Sequence, residues 1–262
     1  MASGRLQQSP TLKGGGIIKS EWFQLYDKYA HGNSYPETSF RVASLDGAFT
    51  DDETNDPSAM TVWGVWTPPD VAAPGIILMD AWRKWLPLHG NPTPPDEIAL
   101  PGDTEAVVRQ RNAKFRQRAS REWGLVETVR ATCERFRVSV LLIEKAASGF
   151  AVASELQRLY AQDGIAVHLV TPKGDKVARC HAIVPILAQG LCWAPNISWS
   201  DDLLLPELTN FPYGKHDDLV DSTTMALSFL RQMGYIRTDA EIRAAERDRV
   251  THRSPRKPLY NV

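Results

Sequence analysis

Cysteine is scarce in this 262-residue chain, and Cys133, Cys180 and Cys192 are odd in number, scattered and never spaced CxxC. That pattern excludes a disulfide framework and a zinc knuckle and points to a reducing compartment. Long apolar runs are missing too. None approaches the roughly 18 residues that a bilayer-spanning helix needs. The opening MASGRLQQSP has no apolar centre of the kind a signal peptide carries, so neither secretion nor a membrane partner is expected. A dominant charge is also absent: 30 Lys and Arg stand against 31 Asp and Glu. There is thus no global basic footprint. A nucleic-acid enzyme survives that balance if it holds metals with carboxylates, because those acids offset its phosphate-gripping cations. No internal repeat is found. The phosphate loop GxxxxGK[ST] is absent as well, which leaves no sequence basis for a P-loop ATPase in this chain.

What is present suits one large domain, or two small ones, with a substantial core. Residues 1–16 are polar and end in Gly14-Gly15-Gly16, so they read as a linker or a cloning remnant. The main domain is expected over 17–236, and a charged tail over 237–262. Ile17 to Ala30 carries Trp22, Phe23, Leu25, Tyr26 and Tyr29 and reads as a short element docked on the core. Phe40 to Leu45 (running into Asp46), Ala59 to Trp66 and Gly75 to Trp82 are apolar runs separated by turn-rich segments. They predict an antiparallel meander. Leu86 to Gly102 is a Pro-rich loop. Thr104 to Phe136 has a helical pattern, with Asp103 as N-cap and Gly124 as a break. Val138 to Glu144 is nearly all apolar, the mark of a strand buried on both faces. Gly149 to Tyr160 reads as helix, Ile165 to Val170 as strand, and Asp175 to Gln189 and Asp217 to Met233 as helices. The tail from Thr238 is charged, and its last stretch, RVTHRSPRKPLYNV, is basic and expected to be mobile. A meander followed by alternating strands and helices implies an α/β fold, a mixed sheet with helices on both faces.

Three acidic positions stand out by their placement. Asp46 ends the first strand and Glu144 ends the buried fourth one. Asp217, Asp218 and Asp221 open the last long helix in KHDDLVD. If the first and fourth strands are neighbours, Asp46 and Glu144 emerge side by side. On the helix, Asp218 and Asp221 share a face, and Asp217 and Asp221 nearly do. Carboxylates gathered at one point repel one another and must be neutralised or protonated. Oxygen ligands without His or Cys suit Mg²⁺ or Mn²⁺. Two such ions about 4 Å apart activate a water and stabilise the leaving oxygen of a phosphodiester. Each acid alone has an ordinary explanation. Asp46 suits a turn, and Asp217 suits a helix cap or first turn. Glu144 resists that treatment, because an ionised group directly after an apolar run needs a partner. Asp80 also follows an apolar strand; it reads as a structural acid, with an auxiliary ligand as the minor alternative. Asp51, Asp52, Glu53 and Asp56 read as a solvated loop.

The motifs SLDGAF with SAMTVWGVW, VLLIEKAASG, TPKGDKVARCHAIVPILAQGLCWAP and FPYGKHDDLVDSTTMALSFL occur in this order between about Trp22 and Leu230. Together they resemble the C-terminal nuclease domain of tailed-phage large terminase subunits, within the RNase H-like superfamily. The resemblance implies an RNase H-like fold and a two-metal (Mg²⁺ or Mn²⁺) endonuclease that cuts concatemeric DNA during genome packaging. It places Asp46, Glu144 and Asp218 in the catalytic metal core, with Asp217 and Asp221 in the same cluster. It also implies partners: double-stranded DNA, an N-terminal packaging ATPase, a small terminase subunit and a portal, all in the host cytoplasm. On that footing this chain reads as the excised nuclease domain, and its Gly-rich start as the interdomain linker. Lys173, Lys176 and Arg179, beside Gly174 at a helix start, are candidate phosphate contacts, with a solvated helix start as the equal alternative. Lys145 either meets the scissile phosphate or is a surface lysine. His216 reads as a group that steadies a ligand, or as a cap, rather than a general base. Weak sequence selectivity is expected of a domain that grips phosphates.

Two other readings compete. An HD-type phosphohydrolase would use His216-Asp217 with His181 upstream, but that fold is wholly helical. A DNA- or portal-docking module with a decayed nuclease would not need every acid in place. A junction resolvase on the same fold is a third, close variant.

Overall fold

In the computed structural model, residues 15–48, 56–69, 73–90, 104–108, 123–145, 147–160 and 164–251 are described. The expected cap Asp103, the loop acids Asp51, Asp52 and Glu53, and the end of the basic tail lie outside them. So does much of the first half of the long helical stretch. The strands are β1 (Phe23–Tyr26), β2 (Phe40–Asp46), β3 (Ser58–Trp66), β4 (Gly75–Lys84), β5 (Val140–Glu144), β6 (Ala166–Val170) and β7 (Cys192–Pro195). The helices are α1 (Leu125–Phe136), α2 (Ala147–Tyr160), α3 (Lys176–Ala188), α4 (Leu205–Asn210), α5 (Asp218–Gln232) and α6 (Asp239–Thr251).

All seven strands form one sheet in the order β1-β7-β4-β3-β2-β5-β6. The β2-β3-β4 meander is antiparallel, and β5 joins β2, and β6 joins β5, in parallel. The expected mixed sheet is thus observed. Strand alternation divides the core. Val42, Ala59, Trp63, Leu78, Val140 and Leu142 face one layer, where Ile183 and Leu187 of α3 and Leu219, Ala226 and Leu230 of α5 close over them. Ala43, Leu45, Met60, Val62, Leu141 and Ile143 face the other, against Leu125 and Val129 of α1 and Val152 and Leu156 of α2. Leu142 and Ile143 are neighbours that point to opposite layers, and both are fully buried. Each such side chain contributes roughly 1.5–3 kcal/mol, which is why β5 is apolar throughout. Among the described residues, no helix is long and apolar enough to cross a membrane.

Three elements differ from the sequence expectation. The docking element within Ile17–Ala30 contains an edge strand, β1, parallel to β7, after a single 3-10 turn at Ser20–Trp22. Strand β7 itself was not expected; four residues ending in Pro carry too little alternation to register. The charged tail holds α6, whose start is a capping box: the Thr238 hydroxyl accepts from Glu241 N, and Glu241 accepts from Thr238 N at 2.8 Å. Arg231 ties α6 to α5 through Glu241 at 2.6 Å.

Register also decides Asp80. A bulge between Val62 and Trp63 leaves Asp80 opposite Val62, while Leu78 pairs with Trp63. Val62 belongs to the α1–α2 layer and Trp63 to the α3–α5 layer. Asp80 is therefore turned to the α1 side, where burial raises its pKa against the pull of Arg135, Lys84 and Lys28. The auxiliary-ligand reading of Asp80 is corrected: the sheet itself stands between it and the other acids.

Candidate metal centre

β2 and β5 are parallel neighbours with Leu45 opposite Ile143, the condition under which Asp46 and Glu144 were expected to leave the sheet side by side. By strand alternation both continue the face of Val42 and Leu142, the one that α5 covers. Helix α5 is fixed there by a buried hydroxyl chain. Ser222 Oγ donates to the Ser44 carbonyl at 2.7 Å and lies 2.8 Å from Thr61 Oγ1. Ser44 is two residues before Asp46, and Ser222 is one turn beyond Asp218. The hydroxyls thus set the helix start against the strand ends, and Asp218 and Asp221 are 8% and 4% exposed there.

The electrostatics record this convergence. Asp46 is pushed up to about 8, first by burial and then by the charges of Glu144, Asp221 and Asp218. Glu144 is raised by burial and by Asp221, with Arg179 and Lys176 opposing. Burial and Asp217 raise Asp218. The bend of β5 into α2 is equally tight. A Cβ on Gly149 would sit 1.9 Å from the Glu144 carbonyl oxygen, so only glycine lets α2 start this close to the acid.

The cations are placed differently from expectation. Lys176 Nζ is 2.8 Å from Asp217 Oδ1 and 2.7 Å from Asp221 Oδ2, and Arg179 Nη2 pairs with Asp221 Oδ1. Both are thus ion-pair partners of the acidic cluster, which neither of the two expectations for them, phosphate contact or solvated helix start, includes. Lys173 lies exposed ahead of α3, whose N-cap is Asp175, accepting from Ala178 N at 2.7 Å. Lys145 is exposed, with its backbone N–H on the Val170 carbonyl. His216 Nδ1 is 3.9 Å from Asp218 Oδ2, and burial, Arg83 and Lys215 lower its pKa.

Among the described residues, no three His, Cys, Asp or Glu side chains are preset at the geometry of a cation cage. The engagement of Asp217 and Asp221 by Lys176 and Arg179 accounts for their part in this. The donor chemistry of Asp46, Glu144 and Asp218 still fits a hard divalent cation: all are oxygen ligands, and burial together with repulsion from the other acids drives Asp46 toward protonation unless positive charge is supplied.

Sequence reasoning missed Glu207 and Arg83. Glu207 is buried on α4, pairs with Arg83 Nη1 at 2.5 Å, and accepts the Leu219 N–H at 2.7 Å. An acid inside LPELTN gives no linear sign of this, since its partners are 124 and 12 residues away.

Residues 104–230 match the family described as the terminase RNaseH-like domain. No curated protein matches the sequence. Among solved structures, the nuclease domain of the large terminase subunit of bacterial virus Sf6 is 10% identical, with 81% of this chain and 98% of that one covered at a TM-score of 0.49. The human cytomegalovirus terminase nuclease domain, manganese-soaked, is 13% identical, covering 82% and 94%, at 0.44. The zinc-bound large terminase nuclease of thermophilic phage G20c is 18% identical, covering 79% and 94%, at 0.42. With this sheet order, and with residues 104–230 matching the terminase RNaseH-like domain, the chain has an RNase H-like fold and resembles the nuclease domain of large terminase subunits.

Proposed function

We propose that this chain is a metal-dependent DNA endonuclease domain that cuts concatemeric viral DNA during genome packaging, by two-metal-ion phosphodiester hydrolysis. The observation that carries the reading is that Asp46 and Glu144 end adjacent parallel strands on the face covered by α5, where Asp46 also feels the charges of Asp218 and Asp221. These three would hold Mg²⁺ or Mn²⁺, with Asp217 or Asp221 as further ligands. Bound ions of that kind supply charge neutralisation, an activated water and stabilisation of the leaving oxygen. The chain's own contributions are distinct. Lys176 steadies Asp217 and Asp221, His216 stands beside Asp218, and exposed Lys173 and Lys145 offer positive charge to the phosphates. In the intact protein the partners are duplex DNA, an N-terminal packaging ATPase, a small terminase subunit and a portal, in the cytoplasm of an infected host.

The test is plasmid cleavage in Mn²⁺ against excess chelator. Cutting is expected with the metal and none with chelator; undiminished cutting in chelator would rule out the metal account. One observation favours a second reading, a non-catalytic docking module: Lys176 and Arg179 already neutralise Asp221. Absence of cleavage in Mn²⁺ by a folded, DNA-binding protein would select it. The HD-type alternative is removed by the seven-stranded sheet.

DNA contact has its own measurement. Lys145→Glu with Lys173→Glu should weaken duplex binding at all sequences and reduce the slope of log affinity against log salt by about 1 for each lysine that meets a phosphate. A slope identical to that of the wild type would assign both residues to solvated surface.

A further inference from the structure

The first turn of α5 carries Asp218 and Asp221, yet the helix does not cap itself. Asp217, at the N-cap position, makes no side-chain cap hydrogen bond and faces Lys176 instead. The first backbone N–H groups of a helix have no partner inside it, and here Leu219 and Val220 are buried. Their acceptor comes from another element. Glu207 Oε1 takes the Leu219 N–H at 2.7 Å, and the Val220 N–H also favours the ionised form of this carboxylate. The other oxygen, Oε2, is held by Arg83. Arg83 lies opposite Ala59 on β3, and Ala59 lies opposite Asp46 on β2. Arg83, Ala59 and Asp46 thus form one row across the sheet.

We infer that Glu207 is a positioning residue for the metal-ligating acids. Anchored to the sheet by Arg83, it sets the depth of the α5 start and so the separation of Asp218 from Asp46. The inference rests on the metal-nuclease reading. It differs from that reading in naming a residue that holds the ligand-bearing helix without touching metal or DNA. Groups that orient metal ligands typically change metal affinity 10–100-fold when removed.

Two variants separate positioning from mere stability. Arg83→Met with Glu207→Met keeps similar bulk, leaves no buried charge unpaired, and removes the acceptor; apolar replacement of a buried ion pair is often tolerated. Glu207→Gln keeps an oxygen for the Leu219 N–H. Mn²⁺ titration by calorimetry and amide exchange at Leu219 and Val220 are measured on each, well below its unfolding temperature. The double variant should bind Mn²⁺ at least about ten-fold more weakly and exchange faster at both amides, whereas Glu207→Gln should stay within about three-fold of wild type. Loss of the Arg83 charge alone would favour a cation, so weakening cannot come from that source. Mn²⁺ affinity within two-fold of wild type in the double variant overturns the inference, and so does weakened affinity with unchanged exchange. If the wild type binds no Mn²⁺, the metal reading fails instead, while amide exchange still reports whether Glu207 caps the helix.

Discussion

Replacing Asp46, Glu144 or Asp218 by Ala should each reduce plasmid cleavage in Mn²⁺ by at least about a thousand-fold, the scale expected when the charge that stabilises the transition state is no longer held in place. The folded domain should persist in every case. Asp46 sits at the end of β2 among three other acids, and its carboxyl is pushed up to about 8 by burial and by those neighbours. The same placement makes it a burden on the metal-free protein. Its folded pKa lies above the unfolded 3.8, so between roughly pH 4 and 8 the folded state binds more protons than the unfolded state. Stability therefore falls as pH rises through that window. Asp46→Asn, which cannot ionise, should match wild type near pH 4 and exceed it increasingly toward pH 8. A gain on the order of 2–4 kcal/mol in chelator at pH 8, or a Tm rise of roughly 5–10 °C, is the expected scale. Excess Mn²⁺ should reverse the order, because binding stabilises only the protein that has the ligand. Thermal melts at pH 4.5 and 8, with chelator and with Mn²⁺, check this. A single mutant that cuts at near wild-type rate would remove its residue from the core. An Asp46→Asn melt below wild type at pH 8 in chelator would contradict the electrostatic account.

Gly149→Ala should be the most damaging single-methyl change beside Glu144. The added Cβ would lie 1.9 Å from the Glu144 carbonyl oxygen, with the Glu144 carbonyl carbon at 3.2 Å and Ile143 Cγ2 at 3.3 Å. The nearest atoms are backbone, so no side chain can swing aside. Relief requires α2 to move away from β5, which opens the packing of Val152 and Leu156 and shifts Glu144 itself. Overpacking of this kind costs about 1–3 kcal/mol, and more where backbone must move. Cleavage should fall at least about a hundred-fold even at temperatures where the protein stays folded, since a 1 Å displacement of a catalytic group can cost that much. Chemical denaturation and plasmid cleavage measured together provide the check. Ala tolerated in both would show that α2 starts farther from Glu144 than this geometry allows.

The order of strands and helices from β2 to α3, the long helix α5, and the apolar run that makes β5 a central strand were legible in the sequence, because periodicity and burial are local properties of the chain. So were Asp46, Glu144 and the acids of KHDDLVD, since an acid at the end of an apolar strand is conspicuous in one dimension. The capping box Thr238-x-x-Glu241 was equally present in the sequence, although the tail around it reads as merely charged. Other features depended on the tertiary structure. Asp80 looks like Asp46 along the chain, but a one-residue bulge turns it to the opposite face of the sheet, and side-chain direction in a strand reverses with a single step of register. Lys176 and Arg179 look like free cations, yet α3 lays them against Asp217 and Asp221. Glu207 and Arg83 carry no linear signal at all, because an ion pair between residues 124 positions apart is created by packing rather than by spacing. The sequence by itself determined which acids stand at element ends; only the fold decided which of them meet, since charges interact through distances in space that chain separation does not set.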